Sequence, residues 1–122
     1  MPELFKLIKK EFSEKYQEWW WTYSINFNLI FNEQKITKIT ITDYTWTKKG
    51  RQAITKDLIL NIFREILNDK EAEPEPKKNP AWKRDHFVPK RIPFNGKKYK
   101  LVFWFKDNTN NHLWVKNCHR QD

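Results

Sequence analysis

The sequence predicts an α+β fold with the element order α-β-β-α-β-β-β: a twisted, mainly antiparallel sheet with helices packed on one face. Three observations predict it. Apolar residues recur at spacings of three and four in two stretches, they alternate with polar residues in others, and Asn95-Gly96 is a strong short hairpin signal. The 122 residues allow one domain over 1–122 and leave little room for a second core.

In the first stretch Leu4, Ile8, Phe12, Tyr16 and Trp19 or Trp20 make an apolar stripe, with Lys9, Lys10, Glu14 and Lys15 between them. This predicts a helix over about 2–20. The period then changes, because Tyr23, Ile25, Phe27, Leu29 and Phe31 alternate with Ser24, Asn26 and Asn28 as a strand requires. Asn32-Glu33-Gln34 is a turn, and the Thr/Ile-rich stretch after it suits a pleated surface, so a hairpin of about 23–31 with 36–43 follows. Thr55 precedes Leu58, Ile59, Ile62, Phe63, Ile66 and Leu67, a helical stripe over about 56–68 with Thr55 as N-cap and Asp57 in the first turn.

Residues 69–80 hold three of the six prolines and no large apolar side chain, so they read as an extended, solvated loop that is either mobile or functional. Pro89 and Pro93 remove ladder donors and confine the next strand to an edge or a bulge. After Asn95-Gly96, Tyr99, Leu101, Phe103 and Phe105 alternate with Lys98, Lys100 and Trp104. Asp107 to Asn111 turns into a last strand over 112–119, where Leu113 and Val115 alternate with Trp114 and Lys116.

Composition narrows the function classes. Two glycines cannot build a glycine-rich phosphate cradle, and one cysteine with three scattered histidines makes neither an internal disulfide nor a four-ligand zinc site. No cofactor or metal is therefore expected. No apolar run approaches the roughly 20 residues that span a bilayer, and a reducing cytoplasm suits the lone cysteine. The formal charge is +9, and residues 81–122 hold ten Lys and Arg against three acids. Such a field attracts phosphates or an acidic protein, or serves only as a solvated face.

Placed on the outward strand period, Lys98, Lys100, Trp104, Trp114 and Lys116 combine cations for phosphates with aromatic faces for unpaired bases. Lys48, Lys49, Arg51, Arg84, Lys90 and Arg91 extend the candidate nucleic-acid surface. Metal-free RNA cleavage needs a proton acceptor, a proton donor and a cation at the phosphate. Tyr44, His86, Tyr99, His119 and Arg120 are of the right types, with Tyr99, His119 and Arg120 as the catalytic candidates. Cys118 beside His119 is read as a buried structural cysteine, since strand neighbours point to opposite faces.

The segment from Ile39 to Arg120, with ITITDYTWTKKGRQAITKDLILNIFREIL, then NGKKYKLVFWF and LWVKNCHR, resembles small toxins of the RelE/ParE superfamily, BrnT-like relatives above all. The resemblance implies cleavage of mRNA, free or ribosome-bound, and neutralisation by a cognate antitoxin or other acidic protein over the basic face. It implies Arg51 and Arg120 as phosphate contacts and Tyr99 and His119 as proton-transfer groups. Tyr44 stands where such relatives often have His. Beside this toxin-like reading stand a non-catalytic nucleic-acid-binding protein and an adaptor that docks an acidic partner.

Overall fold

A computed structural model describes residues 4–43, 54–76 and 85–121. Its centre is a six-stranded mixed sheet, and among the described residues the one helical element is short. In chain order the elements are β1 (Phe5–Ser13), β2 (Glu18–Ile25), β3 (Ile30–Phe31), β4 (Gln34–Lys35), β5 (Lys38–Thr42), α1 (Lys56–Ile62), β6 (Ile92–Phe94), β7 (Lys97–Phe105) and β8 (His112–Arg120). The large sheet runs β1-β2-β5-β8-β7-β6, with β5 and β8 parallel and every other neighbouring pair antiparallel.

This corrects the expected α+β order α-β-β-α-β-β-β, with helices covering a face: among the described residues strands predominate, and the first two form a hairpin where the apolar spacing predicts a helix. The first apolar stripe misleads for a physical reason. A spacing of four returns to the same face of a regular strand as well as of a helix, so the spacing of Leu4, Ile8, Phe12 and Tyr16 does not by itself tell the two apart. In the structure Tyr16 lies in the turn, and a bulge between Leu7 and Lys9 changes the face midway. Composition breaks the tie, because Trp19, Trp20, Trp21, Thr22, Tyr23 and Ile25 are poor helix formers that fit a pleated surface. Gln17, in the left-handed region at φ 53°, closes the turn between β1 and β2.

The strand expected at 23–31 leaves the large sheet at Ile25. Its remainder makes the miniature β3–β4 hairpin, turned by Asn32 and Glu33 at φ 49° and 64°. β2 pairs with β5 from Trp20↔Thr42 to Ser24↔Lys38, bracketing that excursion.

Thr55 caps α1 with its hydroxyl 3.1 Å from the Leu58 amide, and a π-helical turn, Phe63–Leu67, continues the helix. Asp69 to Ala72 is tied beside β3: the Asp69 amide donates to Ile30, the Asn32 amide to Lys70, and the Ala72 amide to the Asn32 side chain. β6 is the sheet edge that the prolines require. Asn95 and Gly96, at φ 50° and 77°, turn it into β7 as a two-residue hairpin loop.

One face of the sheet holds the core. Ile39 and Ile41 of β5, Leu101 and Phe103 of β7, and Leu113, Val115 and Cys118 of β8 are fully buried against Ile59, Ile62 and Phe63. Phe103 is the hub, with ring centroids 5.1 Å from Phe63, 5.3 Å from Phe31 and 5.7 Å from Phe87. Among the described residues no helix is long and apolar enough to cross a membrane.

Candidate functional site

Strand register decides which side chains share the face away from α1. Trp104 and Trp114 are partners across β7 and β8, and Lys100 is opposite His119. On the other side of β8, Trp114 is level with Thr40 of β5, which is level with Thr22 of β2; Trp20 is level with Thr42. A bulge between Val102 and Phe103 makes Lys116 the extra residue of β8, and its side chain reaches this same face.

The result is a cleft of about 410 Å³, lined by Glu11, Tyr16, Glu18, Trp20, Trp104, Lys106, Asp107, Trp114 and Lys116. Its aromatic walls are set at angles. Trp20 meets Trp114 edge-on, centroids 4.8 Å apart at 79°, and Tyr16 lies 6.2 Å from Trp20. His86 leans on Trp104 at 5.0 Å. All three Trp are partly exposed.

Glu18 is buried at the cleft wall, where one carboxylate oxygen accepts from the Trp20 indole at 2.8 Å and the other from the Lys116 ammonium at 3.1 Å. The pair satisfies a charge that burial alone would penalise, and it fixes the Trp20 ring. Beneath the cleft, Thr22 and Thr40 hydroxyls are 2.8 Å apart and Thr40 lies 2.6 Å from His112 Nε2. Burial, then Lys106, then Lys38, pull the His112 pKa down to about 4. His112 is thus neutral at neutral pH and serves as a tie between strands.

Lys100 and Lys98 share the face of Trp104 further along β7. Lys100 is four residues from Trp104, a span of about 13 Å at ~3.3 Å per residue. Lys90 and Arg91 are exposed on the approach to β6, with Lys90 paired to Glu75 at 3.7 Å. Tyr44, Lys48, Lys49, Arg51 and Arg84 lie outside the described residues.

The structure does not bring Tyr99, His119 and Arg120 together. Tyr99 is buried on the core face, level with Arg120, whereas His119 is level with Lys100 on the cleft face. Sequence reasoning places Trp104, Trp114 and Lys116 on one surface but misses Lys106 and Asp107 just after the end of β7, and Glu11, Tyr16, Glu18 and Trp20, which it assigns to a helix. The missed signal was parity: the alternation seen from Tyr23 onward extends back through Trp21 and Trp19, leaving Glu18, Trp20 and Thr22 on the opposite period.

No family model matches the chain, no curated protein matches its sequence, and no solved structure matches its fold.

Proposed function

We propose that this protein binds single-stranded nucleic acid, RNA in the first place, on the sheet face away from α1. One observation carries the reading: three tryptophans from three strands wall a cleft on the same face as Lys98, Lys100, Lys106 and Lys116. A base entering the cleft stacks on indole faces, which is sequence-tolerant because every base has a π-face. The backbone follows the lysines along β7, and the +9 charge of the molecule favours the encounter. Glu11 and Asp107 keep phosphate out of the cleft itself and suit the amino and imino N–H groups of a base edge.

The test is a fluorescence titration of the intact protein with an oligoribonucleotide across a salt series. Binding should quench the tryptophans, and the log of affinity should fall by about 0.7 per log unit of salt for each phosphate neutralised. Trp104→Ala or Trp114→Ala should weaken binding by about 1–3 kcal/mol for each lost stack. Absence of binding at low salt removes nucleic acid as the ligand. Denaturing electrophoresis of the same mixtures, with and without chelator and ribosomes, reads any cleavage directly.

A further inference from the structure

Leu4, Leu7, Ile8, Phe12, Tyr16 and Trp19 are large apolar side chains exposed by 39–57%, and they fall in one continuous stretch, residues 4–19. That stretch is β1 with its turn into β2. Since β1 ends the sheet, no strand pairs with its outer edge among the described residues. The opposite edge is protected differently: β6 has only three residues and Pro93 at its centre. A nine-residue edge without proline, bearing exposed Leu, Ile and Phe, is a surface that proteins ordinarily cover.

The charge around this edge indicates what covers it. Lys10 holds its ammonium 4.8 Å from the Trp19 ring centroid and 5.9 Å from that of Trp21, and Lys56 lies 4.3 Å over Trp21. Lys6 and Lys9 are level with Ser24 and Thr22 on the other face. Of the nearby acids, Glu18 is committed to Lys116 and Glu11 meets Lys9 at 3.5 Å, so Glu14 and Asp57 stand against Lys6, Lys10, Lys15 and Lys56. A second copy would have to join two molecules that each carry a charge of +9.

We propose that β1 receives an extended acidic segment of a partner protein as an additional strand. Main-chain hydrogen bonds run along the open edge, apolar partner residues pack on Leu7, Phe12 and Trp19, and alternate acidic residues meet Lys6 and Lys9. Glu11 of β1 and Tyr16 in the turn after it also line the tryptophan cleft, but the added strand uses the open backbone edge of β1, so this docking does not rest on the nucleic-acid reading.

The experiment uses the intact, isotopically labelled protein and two acetylated probe peptides, one alternating Glu with Val and one alternating Lys with Val. The Glu peptide should slow amide exchange and shift resonances along 5–13, and the Lys peptide should do neither. Lys6→Glu with Lys9→Glu should weaken the Glu peptide by about tenfold or more at an unchanged melting temperature. Phe12→Ser should also weaken it. Equal binding of both peptides, or no protection of β1 by either, overturns the proposal. So does a sedimenting dimer whose β1 amides are already protected without peptide, because the occupant is then a second copy.

Discussion

Glu18 depends on its two donors more than its position near a hairpin turn suggests. Lys116→Met leaves the buried carboxylate with the indole N–H alone and should cost about 1–3 kcal/mol. Adding Glu18→Gln removes the stranded charge and should recover part of that loss; a thermal-melt double-mutant cycle measures the coupling. His112 answers to acid. Its pKa is about 4 in the fold against 6.5 for the free group. Between those values the unfolded chain binds a proton that the native state excludes, so stability should fall as pH drops from about 6.5 towards 4. Denaturant melts of wild type and His112→Gln across that range check it, the variant losing less.

Among the elements, α1 was legible because its signals agree: a capping Thr55, an acid in the first turn, and a stripe of spacing three and four that a strand cannot bury. Thr55→Ala should cost about 1 kcal/mol in a melt, since the Leu58 amide loses its acceptor. The β6–β7 hairpin was legible for a similar reason, as Asn95-Gly96 is suited to two consecutive positive φ values. Gly96→Val should destabilise it by roughly 1–2 kcal/mol through backbone strain, because nothing lies within 4 Å of a Cβ built there to add a clash. The β1–β2 hairpin was not legible. Its apolar spacing fits both periods, and a bulge between Leu7 and Lys9 shifts parity midway, so Leu7 and Phe12 share a face despite an odd separation. Half of the tryptophan cleft was hidden by that one ambiguity.

For the whole molecule, the core hub sets stability and the surface charge sets the response to salt. Phe63 is fully buried against Phe103. Phe63→Ala should therefore cost about 3–5 kcal/mol, read as a much lower melting temperature. The cleft should be less affected, because Trp20, Trp104 and Trp114 stand on the other side of the sheet.

The last of the described strands is in the middle of the sheet. β8 is flanked by β5 and β7, and its parallel partner β5 ends about 70 residues before β8 begins. During synthesis, β5 must wait with Ile39 and Ile41 lacking their neighbours Leu113 and Val115 until the final strand has been made. The central sheet is thus incomplete until β8 has been made, and the waiting state exposes both a sticky strand edge and the apolar face around Ile39 and Ile41. Chains truncated at Asn111 should be degraded at once by a dilute protease and should aggregate when concentrated, whereas the full chain resists both.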